Sequence, residues 1–247
     1  LVSFDESEIF DDLWSEAVEE GVEQKKYHKY TTDGFLNIDT ELNSEGKAIF
    51  SLRDDRQLGE EIFRQFSEQR VGTERLLDIG RRFGMGVSSR PAVRFVYVWD
   101  EGLEGREDNR LLLAREVVDP PQYPGRINYT TGIFENNADR VTTLTEQLWS
   151  NPTSDPNYFP IYVDGLSFKT VSWTSYLQDI ELYKIQEDWN DGDIGEEDVA
   201  LMSKVMGAAM GRVLHRATDL SGNNAAEIIL EDIRLGGGEQ GLLAEMV

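Results

Sequence analysis

Cysteine is absent from this chain of 247 residues, and its absence removes two classes of site at once. Without thiols there are neither disulfide bonds nor thiolate metal ligands. The two histidines, His28 and His215, are too far apart in the sequence to indicate a zinc pair, so we predict no metal site. A cysteine-free chain fits the cytoplasm, which we expect here, as well as an extracellular protein without cross-links.

Long apolar runs and basic residues are also scarce. No run approaches the roughly 20 apolar residues that cross a bilayer, and no secretion signal opens the chain. Lys and Arg number 24 against 47 Asp and Glu, which gives a formal net charge of -23. Because this charge repels phosphate backbones and anionic lipids, we expect neither nucleic acid nor a membrane as a partner. A local basic cluster at Arg81, Arg82 and Arg90 can still bind one phosphate.

The residues that are present suffice for a buried core. Apolar side chains make up 39% of the sequence, and its length fits one large domain or two small lobes. We predict an α+β protein whose antiparallel sheet has a helix packed on it, as in the N-terminal lobe of a kinase. A helical N-terminal part (1–83), this sheet and helix (84–185) and a helical C-terminal part (186–247) would together form one compact unit.

Periodic apolar positions predict six helices, at 5–25, around 58–66, and at 73–83, 136–150, 197–219 and 225–235. Asn136 is predicted to cap the fourth helix. The fifth is the longest, and its inward face is predicted to contain Val199, Met202, Val205 or Met206, Ala209, Met210 and Val213. The acidic stretch 186–198 before it is interpreted as a loop.

Strands are predicted where β-branched and aromatic residues concentrate, at 93–99 and 111–118. The clearest hairpin joins 161–163 to 166–173, because Asp164-Gly165 favours the positive φ angles of a type I′ turn. Turn signals within 27–50 indicate a strand pair or an extended loop.

The stretch Gly-Met-Gly-Val-Ser-Ser-Arg at 84–90 has two interpretations. Gly84 and Gly86 could bring backbone N–H groups close to a phosphate, with Ser88, Ser89 or Arg90 adding donors. Glycines serve equally well at the end of a helix that turns into a strand, and the spacing alone favours that structural role.

Two charged residues interrupt the apolar run of the second strand, Leu-Leu-Leu-Ala-Arg-Glu-Val-Val. Alternation along the strand sends Arg115 to one face of the sheet and Glu116 to the other. A charge among apolar residues needs a partner or solvent, so Arg115 either holds a phosphate or forms a cross-strand salt bridge. Both interpretations are open.

Short motifs resemble a known family. They are 78–90, which ends in the glycine turn, the strands 93–99 and 111–116, Phe-Lys-Thr-Val at 168–171, and Met-Gly-Arg-Val-Leu-His-Arg-Ala-Thr-Asp-Leu-Ser-Gly at 210–222. In this order they look like the C-terminal portion of a bacterial family catalogued as domain of unknown function twenty-two fifty-two, which is placed among kinase-like folds. The resemblance covers roughly residues 70–235.

This resemblance implies a kinase-like, nucleotide-binding protein with ATP and Mg²⁺ as cofactors. The residues it assigns are Gly84, Gly86, Ser88 and Arg115 at the phosphates, and Glu116 or Glu146 paired with the cation. Arg115 stands where the family has lysine, and Thr218 where it has histidine. The family's Gly-Asp-x-His and Asn-Asp-Phe-Asp motifs are missing, which implies a phosphotransferase without its catalytic loop, through loss of an upstream segment or as an inactive relative.

The competing hypothesis is a non-catalytic acidic interaction or assembly protein. It depends on the missing motifs, on the negative charge and on an apolar tail that could dock on a protein partner or form a homo-oligomer, at Leu242, Leu243, Met246 and Val247. Adaptation to high salt is a third explanation of the acidic composition.

Overall fold

The computed structural model describes residues 8–44, 46–70, 72–84, 92–102, 109–118, 134–148, 155–174, 176 and 182–216. The chain divides into two compact units. The first comprises Leu1–Glu16, Thr145–Pro152 and Asp179–Val247, and the second comprises Ala17–Leu144 and Thr153–Gln178. The second unit contains the β-sheet and is the one in which the candidate site lies.

The described elements follow the chain in this order: α1 (Glu8–Val22), α2 (Lys25–Tyr30), β1 (Thr31–Thr32), β2 (Phe35–Leu36), β3 (Ala48–Ser51), α3 (Arg56–Gln69), β4 (Arg75–Phe83), β5 (Arg94–Asp100), β6 (Asn109–Glu116), α4 (Asn137–Leu148), β7 (Pro160–Val163), β8 (Leu166–Ser172), α5 (Leu182–Asp191) and α6 (Glu196–Arg216). Six strands form an antiparallel sheet in the order β3-β4-β5-β6-β8-β7, and β1 pairs with β2 in a separate hairpin. The chain is therefore an α+β protein, as the sequence predicts.

The central strand β5 is buried on both faces, because successive side chains point to opposite sides of a sheet. Phe95, Tyr97 and Trp99 point to one side, where they meet α3, and we name this side the α3 face. Val96 and Val98 point to the other side, where they meet the β1–β2 hairpin, and we name this side the hairpin face. All five side chains are fully buried.

The α3 face is closed by an aromatic core. Phe66 of α3 stacks edge-on against Trp99 with ring centroids 5.4 Å apart, and Phe63 lies 5.6 Å from Tyr97. The Tyr97 hydroxyl donates a hydrogen bond of 3.1 Å to the Gly59 carbonyl oxygen. A Cβ at Gly59 would lie 2.4 Å from a methyl carbon of Ile79, so glycine is what lets the helix approach this closely.

The hairpin face has a smaller apolar cluster. Leu36 of the hairpin packs with Ile49, Val96 and the other members Val98, Leu111 and Trp173. Tyr30 covers this cluster, with its ring centroid 4.5 Å from that of Trp173. The Leu36 N–H donates to the Asp78 carboxylate at 2.9 Å, which fastens the hairpin to β4.

Both edges of the sheet are capped by groups of the same chain. At β3, the Asp39 carboxylate accepts from the Ile49 N–H at 2.7 Å, and the Asp39 N–H donates to the Ile49 carbonyl at 2.8 Å. At β7, side-chain amides of Gln65 and Gln69 donate to the Tyr162 and Pro160 carbonyls at 3.2 and 3.0 Å. Capped edges disfavour pairing with a strand from another chain.

Several predicted elements are confirmed. Helices occupy Glu8–Val22, Arg56–Gln69 and Asn137–Leu148, and the Asn136 side chain accepts from the Asp139 N–H at 3.0 Å as an N-cap. The strands at 93–99 and 111–118 exist with bounds shifted by one or two residues. The turn between β7 and β8 has φ angles of 50° at Asp164 and 81° at Gly165, as a type I′ turn requires.

The helix predicted at 73–83 is wrong, because these residues form β4. Leu76 and Ile79 pair with Trp99 and Tyr97 of β5, and the register shifts between Leu76 and Asp78. That irregularity breaks the two-residue alternation and produces apolar spacings that mimic a helix. The sheet consequently includes β3 and β4, upstream of residue 84. The division into 1–83, 84–185 and 186–247 stays a prediction.

Three further predictions need revision. The acidic stretch predicted as a loop is helical as far as Asp191 and breaks only at Gly192, whose φ is 82°. The segment 27–50 contains α2 as well as strands. On α6, Met202 is buried as predicted, but Ala209 is exposed and Met210 is 60% exposed. The predicted helix at 225–235 lies outside the described residues.

Candidate cationic site

Four cations lie side by side on the hairpin face. Arg94 of β5 is the cross-strand partner of Arg115 in β6, and Arg115 is the partner of Lys169 in β8. Arg81 of β4 pairs with Phe95 of β5. Because the two strands are antiparallel, the next residue of β4, Arg82, lies beside Arg94. Directly opposed side chains have Cβ atoms about 4.5–5.5 Å apart. We name Arg82, Arg94, Arg115 and Lys169 the cationic row.

Arg94 and Arg115 each end the series of alternating apolar side chains that their strand contributes to the hairpin face. Arg94 follows the parity of Val96 and Val98, and Arg115 that of Leu113 and Leu111, whose apolar members build the hairpin cluster. Like charges at opposed positions destabilise a sheet. The row is therefore an arrangement that packing alone does not favour.

Arg94 is the most deeply buried member. It is 4% exposed, and its Nη2 atom has no hydrogen-bond partner among the residues that the structure describes. A buried donor without a partner costs about 1–3 kcal/mol, and more when it carries charge. Burial, followed by repulsion from Arg115 and Arg82, lowers the pKa of the Arg94 guanidinium to about 10. The group still carries its proton at neutral pH.

The pKa values of the two outer cations, Lys169 and Arg82, are lowered as well. Burial, followed by repulsion from Arg115, lowers the pKa of the Lys169 ammonium group. Burial also lowers the pKa of Arg82, and interaction with Tyr30 partly opposes that shift. Three of the four cations thus have a pKa below the ordinary value, as expected when positive charges are desolvated together.

Aromatic rings support the outer cations. The Arg82 guanidinium lies 4.1 Å from the ring centroid of Trp173, and the Lys169 ammonium lies 5.5 Å from that of Tyr158. Cation–π contacts of this kind contribute about 0.5–2 kcal/mol. Within the described ranges, no ion pair joins Arg82, Arg94 or Lys169 to a carboxylate. The aromatic rings therefore compensate only part of the positive charge of Arg82 and Lys169.

Two other arginines of the second unit, Arg70 and Arg81, have carboxylate partners. Arg70 bonds to Glu74 at 3.0 Å and lies 3.5 Å from Glu101. Arg81, the neighbour of Arg82 in β4, points to the α3 face and pairs with Asp55. The chain thus supplies carboxylates to half-buried arginines such as these, although none pairs with the buried Arg94 in the described structure.

The residues predicted to bind a nucleotide are not all found together. Arg115 belongs to the cationic row. Glu116 follows the parity of the α3 face, and its carboxylate accepts from the Val93 N–H at 2.7 Å. Glu146 is exposed on α4 and belongs to the first compact unit, whereas the row belongs to the second. The assignments of Glu116 and Glu146 stay predictions.

Gly84 has a structural explanation. It directly follows β4 with a φ of 79°, and a Cβ there would lie 1.8 Å from the Gly46 carbonyl oxygen. Only glycine fits such a conformation at such a close backbone approach. The other predicted members of this turn, Gly86 and Ser88 with Ser89 and Arg90, lie outside the described residues.

Sequence reasoning missed Arg94 and Lys169 and grouped Arg82 with the wrong neighbours. Adjacency in the sequence joined Arg82 to Arg81, yet adjacent residues of a strand point to opposite faces. The available signal was that Arg94 and Lys169 continue the apolar alternation of their strands. That signal becomes informative only when the register across β4, β5, β6 and β8 is known.

A concave region lies between α3 and the β7–β8 turn, with a volume of about 490 Å³. Of the charged residues that line it, Arg64 contacts Glu61 at 2.6 Å and also bonds to Glu68, and Glu60 pairs with Arg56. Hydrogen bonds from Arg64 and then Gln65 lower the pKa of Glu61 to about 2. Because these charges are compensated on an exposed helix surface, we assign no ligand to this groove.

Two searches of the described residues for other kinds of site gave negative findings. They contain no group of three or more His, Asp or Glu side chains placed to hold a metal ion. None of their helices combines the length and apolar character required to cross a bilayer.

Comparison with known proteins gave no match of any kind: no family model, no curated protein and no solved structure is similar to this chain. The resemblance to the kinase-like family stays a prediction that rests on short motifs. The geometry of the cationic row is independent of it.

Proposed function

We propose that this protein binds a phosphate-bearing ligand of the nucleotide class on the cationic row. The observation that carries the proposal is the buried Arg94, one of the two inner members of the row, whose Nη2 donor lacks a partner in the described part of the chain. An anion seated on the row would supply that partner and remove the repulsion among neighbours. Guanidinium groups suit this task because their planar donors match pairs of phosphate oxygens.

The nucleotide class comes from the kinase-like resemblance, which implies ATP. The donors of the row suit phosphate oxygens and not a divalent cation, since all four are positively charged. The neighbouring carboxylate of Glu116 already accepts a backbone hydrogen bond. Mg²⁺ would therefore accompany the nucleotide on its own phosphates. We propose binding and assign no phosphoryl transfer.

Isothermal titration of ATP at low ionic strength tests this function. Wild-type protein is expected to bind, and Arg94→Gln and Lys169→Gln are each expected to weaken binding by ~10-fold or more, because charged hydrogen bonds contribute about 1.5–3 kcal/mol. The matched control is Arg75→Gln, an exposed β4 residue that is bonded to Asp100 at 3.1 Å and should leave affinity unchanged. Absence of binding by the wild type, or equal binding by all variants, would overturn the proposal.

The alternative function, an acidic interaction or assembly protein, depends on the tail at 242–247, which lies outside the described residues. It stays a prediction. Light scattering separates the two hypotheses, since assembly through the tail requires a mass above that of one chain, whereas ligand binding on the row does not.

A further inference from the structure

We infer that the cationic row recognises the phosphoryl chain of its ligand rather than the base, and that it prefers two or more linked phosphoryl groups to one. This inference rests on the proposed function and specifies which part of the ligand is recognised. It follows from the length of the row, from its charge and from the state of the surrounding aromatic rings.

The row is too long for a single phosphate. Its members come from four neighbouring strands, and strands are spaced about 4.8 Å apart, so the row extends over about 14 Å. A phosphate oxygen must come within about 2.8 Å of a cationic nitrogen to accept a hydrogen bond. One phosphate can thus engage adjacent members but not both ends.

The charge leads to the same conclusion. Arg82, Arg94 and Lys169 have no carboxylate partner in the described part of the chain, and Arg115 lies among them. A phosphate monoester carries a charge of about -1.5 to -2, which is less than the charge of Arg82, Arg94 and Lys169 together. A chain of two or three phosphoryl groups supplies both the further charge and the extent.

The aromatic residues next to the row are already engaged. The Trp173 ring has Arg82 at 4.1 Å and Tyr30 at 4.5 Å, and Trp173 is itself 9% exposed. Stacking of a base needs a free ring face. Tyr158, which is 8% exposed, also has a cation over its ring, Lys169. Because neither of these two rings offers a free face, we expect the nucleoside to contribute little to affinity.

Titration with orthophosphate, tripolyphosphate, AMP and ATP tests the inference. Tripolyphosphate and ATP are expected to bind with affinities within ~3-fold of each other, and orthophosphate and AMP ~10-fold or more weakly, because they reach fewer cations. Lys169→Gln should reduce the affinity for tripolyphosphate more than that for orthophosphate, since it shortens the row. Arg75→Gln, outside the row, should change neither.

The outcomes separate this inference from the proposed function. If AMP or orthophosphate binds as tightly as tripolyphosphate, the preference for a chain is wrong and the phosphate site stands. If ATP binds and tripolyphosphate does not, the base is recognised, and again only the inference is overturned. If none of the four binds, both are overturned. Thermal unfolding of each variant verifies that a lost affinity does not reflect a lost fold.

Discussion

The two faces of the sheet differ in whether Arg81 and Arg94, one on each face, have a carboxylate partner among the described residues. On the α3 face, aromatic side chains fill the core, and the charged Arg81 beside it pairs with Asp55. On the hairpin face, the apolar cluster ends in four cations, and one of the two inner ones, Arg94, has a buried nitrogen without a partner in the described ranges. The α3 face also has a buried donor without a partner in the described structure, Trp99 Nε1, but that nitrogen carries no charge. Departures from local rules are expected at functional sites. This contrast is the main reason for placing the site on the hairpin face.

The largest expected effect tests the α3 face. Phe66→Ala removes a fully buried ring that packs on Trp99 and Phe63, and should lower the free energy of unfolding by about 3–5 kcal/mol. Denaturant titration followed by circular dichroism measures it. Phe35→Ala is the control, because Phe35 is 58% exposed and its loss should change stability by about 0.5 kcal/mol or less. Similar effects of the two substitutions would contradict the assignment of the core to this face.

The next effect has the opposite sign and tests the hairpin face. Arg94→Met removes a desolvated charge from an apolar strand, and should raise the free energy of unfolding of the ligand-free protein by about 1–3 kcal/mol while weakening anion binding by ~10-fold or more. Arg81→Met, on the opposite face of the neighbouring strand, should instead lower it by up to about 1 kcal/mol, since Asp55 loses its partner. If Arg94→Met destabilises the protein as Arg81→Met does, the row is not electrostatically strained.

The smallest expected effect is a pH dependence of the difference in free energy of unfolding between wild type and Arg94→Met. The pKa of Arg94 is about 10 in the folded protein and higher in the unfolded chain, so at pH values between the two the unfolded chain binds more protons than the folded one. The contribution of Arg94 to the free energy of unfolding is therefore lowest at neutral pH, where the group is charged in both states, and it rises as pH increases through about 10. Lys169, whose pKa is also lowered, adds to the same trend.

Comparison of wild type with Arg94→Met isolates this dependence. Burial raises the pKa of Tyr97 well above 10, which makes stability fall at high pH, but this effect is common to both proteins and cancels in the difference. The stabilisation caused by Arg94→Met should shrink as pH rises from 8 to about 11. Urea titrations at several pH values measure it, and a difference independent of pH would argue against strain at Arg94.

Local patterns predicted most of the elements but misassigned one strand. The Asp164-Gly165 hairpin and the Asn136 cap were predictable because each depends on residues within one turn of the chain. β4 was mistaken for a helix because its irregularity between Leu76 and Asp78 disturbs the alternation of a strand. Pairing with β3 and β5 overrides such local ambiguity, since two neighbouring strands satisfy the backbone hydrogen bonds of β4.

By itself the sequence determined the α+β class, the strands that carry Arg94, Arg115 and Lys169, and the face of its own strand to which each cation points. Only the tertiary structure decided that these cations are neighbours, because the register that aligns β4, β5, β6 and β8 is set by long-range pairing and by the closing of both faces. The same reason explains why Arg81 and Arg82, adjacent in the chain, act on opposite sides of the sheet, one in an ion pair and the other in the cationic row.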